Sequence, residues 1–280
     1  MKKLEYTCMN DYMFKEIFKN QNILCGYLNK YCNLNIKPED ILYGPIEIKD
    51  GLRIKGSRFD IRVNTDRLLI DIEAQRREIR GKNSEGKSVS SKEYQTNRKI
   101  HYASQLYASA YKEGQDYVEG PRVIVLWFLE YEIEGNYIQH TRYVNKETNE
   151  EYKNIEIIEI SLKNASLDDR IELEPLKVLI ADEVSKYLES KDEIVKEVAK
   201  MIYKLNDDEL AKAEAKLKED NQRDLNAYIR MHRQEGYDEG LEKGAINKNI
   251  ENAKRFKELG VDIEIIMNAT GLSKEEIDML

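Results

Sequence analysis

Two neighbouring stretches that alternate with a period of two constrain this chain more than any other feature. In RFDIRVN, residues 58–64, Phe59, Ile61 and Val63 fall on one face and Asp60, Arg62 and Asn64 on the other. RLLIDIEAQRR, residues 67–77, repeats the pattern, with Leu68, Ile70, Ile72 and Ala74 on one face and Leu69, Asp71, Glu73 and Gln75 on the other. Strand side chains alternate between faces, whereas a helix repeats every ~3.6 residues. The spacing therefore predicts two strands joined by a turn near Thr65–Asp66, with their polar rows side by side.

Helical spacing flanks this hairpin. Tyr12, Met13, Ile17 and Phe18 form a stripe over Asn10–Asn20, with Asn10 or Asp11 as the cap, and a second helix is expected over Gln21–Tyr31. Gly81–Ser91, rich in Gly, Ser and Lys, is expected as a mobile loop. Lys92–Lys112 follows as a helix whose inward stripe is Ile100, Ala103, Leu106, Tyr107 and Ala110, and strands are expected at Arg122–Glu130, Tyr137–Val144 and Ile155–Leu162. That order describes a mixed α/β domain over residues 1–165. Residues 166–235 read as a helical region. Residues 236–280 read as a helix with Gly236, Gly240 and Gly244 at every fourth position, then a small helical motif in which Ser273 and Glu276 have capping-box spacing.

The 280-residue chain carries a net charge of −8, so binding to a polyanion has to come from a local patch. Between Arg76 and Lys99 stand eight basic residues (Arg76, Arg77, Arg80, Lys82, Lys87, Lys92, Arg98, Lys99) and three acidic ones (Glu78, Glu85, Glu93), a local excess of +5. Beside the hairpin this run is a candidate phosphate-binding segment, although a solvated loop has the same composition. Cys8, Cys25 and Cys32 lie far from the three histidines and are expected as reduced, buried thiols, with no zinc site. The longest apolar run, Val123–Leu129, has a strand's length, and the start MKKLEYTCMNDYMF has no continuous apolar stretch. Neither a membrane span nor a signal peptide is expected, and the chain reads as cytoplasmic.

The polar rows bring carboxylates together. Asp60 and Glu73 repel each other unless something positive lies between them. Hard divalent cations bind through such oxygens while keeping several waters, Mg2+ above all, with Mn2+ as a substitute. Such an ion polarises a phosphate oxygen and lowers the pKa of a bound water. The Ala74 carbonyl is a further candidate ligand, Asp71 is a rival on the same face, and the Gln75 amide can orient water or donate to a phosphate. The competing reading is plain alternation on a half-exposed strand. Along the next helix, Gln95, Arg98 and Tyr102 share a face opposite the apolar stripe, and turned toward the hairpin they bring Arg98 to a phosphate.

With Asp60 as the aspartate and Glu73-Ala74-Gln75 as the triplet, the hairpin resembles the PD-(D/E)xK nuclease signature. More narrowly, the chain is similar to the Rpn group of recombination-promoting nucleases, also described as PD-(D/E)xK transposases. The likeness runs over nearly the whole length, through NDYMFKEIF, Tyr27-Leu28-Asn29, FDIRV, IDIEAQ, NRKIHYASQLYAS and TGLSKEEI. It implies an α/β, restriction-endonuclease-like core, a mixed central sheet flanked by helices, with a helical C-terminal region. It implies a Mg2+-dependent endodeoxyribonuclease with Asp60, Glu73 and Gln75 catalytic and Asp60, Glu73 and Ala74 on the metal. Arg77, Lys82, Lys87, Arg98 and Tyr102 are then the DNA-binding candidates.

Asp11 and Lys15 match the family's D-x-x-F-K start and are accessory candidates, while a helix cap and a surface lysine are the competing readings. The family places Gln where the superfamily has Lys, so Gln75 brings no charge. The strand pleat turns Arg76 to the opposite face and leaves Arg77 as the expected substitute. A part in recombination, transposition or antiviral defence follows from the resemblance. The stripe Val195, Val198, Ile202 and Leu205, together with the glycine spacing, leads to an expected homodimer through the C-terminal helices, docking on the core being the alternative cover. The competing function is a weak or inactive nuclease fold acting as an oligomerising or regulatory module, and RNA is an alternative substrate.

Overall fold

The structure is a computed structural model that describes residues 3–44, 47–48, 57–58, 60–65, 68–79, 81–82, 87–111, 116 and 120–280. The chain divides into two compact units, Met1–Glu219 and Asp220–Leu280. In chain order the first contains α1 (Asp11–Phe18), α2 (Gln21–Tyr31), β1 (Leu42–Tyr43), β2 (Glu47–Ile48), β3 (Ser57–Arg58), β4 (Ile61–Thr65), β5 (Leu68–Gln75), β6 (Gly81–Lys82), β7 (Ser88–Val89) and α3 (Ser91–Ala108). There follow β8 (Arg122–Leu129), β9 (Ile138–Val144), β10 (Glu151–Ser161), α4 (Leu162–Ser166), α5 (Glu174–Lys177), α6 (Glu193–Asp207) and the start of α7 (Glu209–Glu258).

The central sheet has the order β1-β4-β5-β8-β10-β9. It is parallel at β5/β8 and β8/β10 and antiparallel elsewhere. The hairpin pairs Ile61 with Ile72 and Val63 with Ile70, so the apolar rows of both strands meet on one face. There they join Phe14, Phe18, Tyr27 and Phe128, whose ring centroids lie 4.5–6.0 Å apart, in the core formed with α1, α2 and α6. Asn10 caps α1 by accepting from the Tyr12 and Met13 N–H groups at 3.0 and 3.3 Å. Phe59 and the expected turn residue Asp66 lie outside the described residues. Both faces of β8 are covered, which is why RVIVLWFL does not alternate.

The second face of the sheet lies under α3, and here the expected helix stripe is corrected. Ala103 and Leu106 are buried as expected, but Ile100 is 43% exposed while Gln95 and Lys99 are buried. The reason is the surface that α3 covers. Asp71, Glu73 and Gln75 project toward this side, and Glu159 of β10 pairs with Lys99, so polar residues of α3 turn inward to meet polar partners. Within the expected loop, β6 and β7 form a short antiparallel pair, Gly81 with Val89 and Lys82 with Ser88. Residues 83–86 lie outside the described residues.

Docking on the core is what covers the α6 stripe. Val195, Val198 and Ile202 are buried there and Leu205 packs against the same cluster, within the first compact unit, which runs to Glu219. Beyond it, α7 continues as one helix through Gly236, Gly240 and Gly244. A Cβ added at any of the three would meet nothing within 4 Å, so among the described residues these glycines mark no close approach.

The second unit holds the remainder of α7 with α8 (Ile263–Thr270) and α9 (Lys274–Asp278), closed around Ala253, Ile266 and Ile277. Gly271, at φ +72°, ends α8 in the left-handed conformation, and Ser273 and Glu276 form the capping box of α9. Cys8, Cys25 and Cys32 are buried free thiols. Among the described residues no helix is long and apolar enough to cross a membrane.

Candidate active site

Because Ile61 pairs with Ile72, Asp60 just before β4 adjoins Glu73 on β5. Two backbone hydrogen bonds lock the pair reciprocally. The Asp60 N–H donates to Glu73 Oε1 at 3.0 Å, and the Ala74 N–H donates to Asp60 Oδ2 at 3.1 Å. The remaining oxygens face cations from two helices. Lys15 Nζ of α1 lies 3.2 Å from Asp60 Oδ1 and 2.7 Å from Asp11 Oδ1. Arg98 Nη2 of α3 lies 3.6 Å from Glu73 Oε2. The Arg98 guanidinium sits 4.8 Å from the Trp127 ring centroid and 5.2 Å from that of Tyr102. Its Nη1 donates to Gln75 Oε1 at 2.6 Å, and Gln75 Nε2 donates to the Arg77 carbonyl at 2.7 Å.

A family model described as PD-(D/E)XK nuclease family transposase matches residues 8–235. The chain belongs to this family. No curated protein and no solved structure gives a match. The mixed six-stranded sheet with helices on both faces is the α/β, restriction-endonuclease-like fold that the family implies.

The electrostatics of this family member's hairpin are those of acids held out of water. Burial, and then the Asp60 carboxylate, push Glu73 up to about 8. Burial also raises Asp60, against the lowering pull of Lys15 and the Ala74 N–H. Asp71 is fully buried, and burial, Glu73 and Asp60 push it well above the carboxylate range. As a carboxylate it has no donor for either oxygen among the described residues; protonated, it has Glu73 as acceptor. For Lys15, burial lowers the pKa, but Asp60 and Asp11 outweigh it and the ammonium is raised.

These residues fit a hard divalent cation, the kind of ion that PD-(D/E)XK nucleases generally use. Among the described residues no group of three or more His, Cys, Asp or Glu side chains gathers as a metal cage. Magnesium does not need one, since it binds through one or two carboxylates plus waters. Asp60, Glu73 and the Ala74 carbonyl supply oxygen donors only, and the raised acids are those that a cation would relieve.

The other expected residues lie as follows. Asp11 pairs with Lys15, and the capping falls to Asn10. Neither Arg76 nor Arg77 is the cation at the pair. Arg76 binds Glu219 at 2.6 Å and Glu130 at 3.5 Å, while Arg77 is exposed and offers its carbonyl to Gln75. Lys15 and Arg98 meet Asp60 and Glu73 instead, because α1 and α3 pack on opposite faces of the sheet, which spacing along one strand cannot reveal. Lys87 is exposed, the Lys82 backbone lies in β6 with its side chain outside the description, and the Tyr102 hydroxyl accepts from Arg98 at 3.5 Å. Trp127 and Glu219 carried no signal of their own. The first lies inside an apolar run and the second inside a charged helix, and only the register Glu73–Trp127 and the docking of α7 bring them in.

Proposed function

We propose that this chain is a Mg2+-dependent endonuclease that hydrolyses DNA phosphodiester bonds, with Mn2+ able to substitute. The observation that carries the reading is the reciprocal backbone locking of Asp60 and Glu73, which holds a half-buried and a buried carboxylate together against their repulsion. Asp60, Glu73 and the Ala74 carbonyl would hold the cation, which when bound polarises a phosphate oxygen and lowers the pKa of water. The chain's own residues do the remaining work. Arg98, lying against the adjoining rings of Trp127 and Tyr102, keeps Glu73 and the Gln75 amide in place, and the second N–H of that amide orients the attacking water. Arg77, Lys82 and Lys87 follow the hairpin and meet the DNA backbone. Incubating supercoiled plasmid with the protein in Mg2+, Mn2+ or EDTA tests this. Nicked or linear product is expected with either metal and none in EDTA; intact plasmid in all three overturns it. The family's description as a nuclease transposase favours a role in transposition, and we extend the proposal to recombination or defence against foreign DNA in the cytoplasm.

Neutralising Arg77, Lys82 and Lys87 together should weaken duplex binding and lower its salt dependence, the slope falling by roughly 0.9 for each phosphate that is no longer neutralised. Fluorescence anisotropy across a salt series measures this, and an unchanged slope would leave the basic run a solvated segment.

Cutting both strands of a duplex calls for two sites, which a two-fold homodimer supplies. Beyond Glu219, α7 exposes Leu225, Tyr237, Leu241 and Ile246. Light scattering is expected to give a dimer for the full chain and a monomer for a chain ending at Glu219. A full-length monomer at micromolar concentration would contradict this.

A further inference from the structure

We propose that Lys15 of α1 is a catalytic residue, supplying at the scissile phosphate the positive charge that Gln75 lacks. This rests on the nuclease reading above. Gln75 is neutral, and each end of its amide is held by a neighbour, Oε1 by Arg98 at 2.6 Å and Nε2 by the Arg77 carbonyl at 2.7 Å, so its second N–H can orient water but brings no charge. Arg98 is committed to Glu73 and Gln75, and Arg76 to Glu219 and Glu130. Lys15 Nζ lies 3.2 Å from Asp60 Oδ1, and Asp11, one helical turn earlier, holds it in place at 2.7 Å.

Exposure tells from which side a phosphate arrives. The Glu73 side chain is 4% exposed and closed off under Arg98, whereas Asp60 and Lys15 are 23% and 27% exposed. The open edge of the pair is therefore the Asp60 edge, and a phosphate reaching it passes the Lys15 ammonium. A compact ammonium with three rotatable donors suits a phosphate oxygen. In the reaction a water oxygen bonds to phosphorus, the bond from phosphorus to the leaving sugar oxygen breaks, and one water proton ends on that oxygen. Lys15 neither gives nor takes a proton; its charge offsets the negative charge gathering on the phosphoryl oxygens.

A counter-ion that only steadies α1 would behave differently from a catalytic cation, and two measurements on the full chain separate them. The first is plasmid cleavage by wild type, K15Q, K15R, Q75K and the double variant K15Q/Q75K. K15Q should be slower by about 100-fold, K15R should keep most activity, and the double variant should recover much of the loss by returning a charge to the triplet. The second is binding of magnesium chloride alone, followed by calorimetry. Lys15 repels an incoming cation, so K15Q should bind Mg2+ several-fold more tightly while cleaving more slowly.

Cleavage by K15Q at the wild-type rate overturns the proposal. So does a slow K15Q that also binds Mg2+ more weakly, the signature of a residue that merely supports the site. If K15Q does not fold, K15R decides, retained activity supporting the assignment and lost activity overturning it. Wild-type protein that cuts no DNA with any metal is a different outcome and strikes the nuclease reading itself.

Discussion

Replacing Glu73 with alanine is expected to lower metal-dependent DNA cleavage by on the order of 10³-fold or more while leaving the protein folded. Asp60→Ala should do the same. Each substitution removes one of the two carboxylates proposed to hold the cation, and each leaves unpaired the backbone donor that the lost carboxylate accepted from, the Asp60 N–H for Glu73 and the Ala74 N–H for Asp60. The surviving carboxylate keeps its own backbone donor, so what is lost is an oxygen ligand and not the fold of the hairpin. Stability should move the other way. Glu73 is buried beside Asp60 and Asp71, and deleting an acid that the fold must desolvate relieves repulsion in the metal-free state. The check is plasmid cleavage beside thermal unfolding in EDTA for the same samples. A folded variant that cuts at the wild-type rate would remove Asp60 and Glu73 from the chemistry.

Without metal, the protein is expected to lose stability as pH rises from about 5 to about 8.5, and added Mg2+ should restore it. Glu73 is raised from its ordinary carboxylate value to about 8, chiefly by burial. An acid whose folded-state pKa is raised contributes stability that is complete below its unfolded pKa and is lost as pH climbs through the folded one. Asp71, raised in the same direction, adds to the effect. Glu156, lowered by His140, Arg142 and Arg122 against the opposing pull of burial, acts in the reverse sense only below the usual carboxylate range, outside this window. The loss should amount to a few kcal/mol, because each tenfold change in proton affinity is worth roughly 1.4 kcal/mol. Asp71→Asn, which keeps the shape of the protonated acid, should raise the melting temperature at pH 8.5 more than at pH 5. Melting temperatures in EDTA and in Mg2+ at both pH values measure all of this, and stability that rises with pH in EDTA would refute it.

Much of the site was legible in the sequence, because strand alternation is a local property. RFDIRVN and RLLIDIEAQ set their own faces by the pleat, and a short turn leaves few registers, so Asp60 beside Glu73 followed from spacing. The same locality made the caps readable: Asn10 at α1, and Ser273 with Glu276 at α9. Where a helix meets the rest of the molecule, local pattern misled. Ile100 lies in an apolar stripe and is exposed, while Gln95 and Lys99 are buried, because the surface under α3 is itself polar. The Val195, Val198 and Ile202 stripe announced burial without naming the partner, and the first unit's own core took it.

By itself, then, the sequence determined the hairpin, its two facing carboxylates and the family to which they belong. Only the tertiary structure decided which cations meet them. Lys15 is 45 residues from Asp60 and Arg98 is 25 residues from Glu73, and no periodicity relates positions on separate elements. Packing α1 and α3 on opposite faces of one sheet brings both ammonium and guanidinium to the same pair, of which Glu73 is buried and Asp60 half-buried, and the cost of leaving charges unpaired away from water keeps them there.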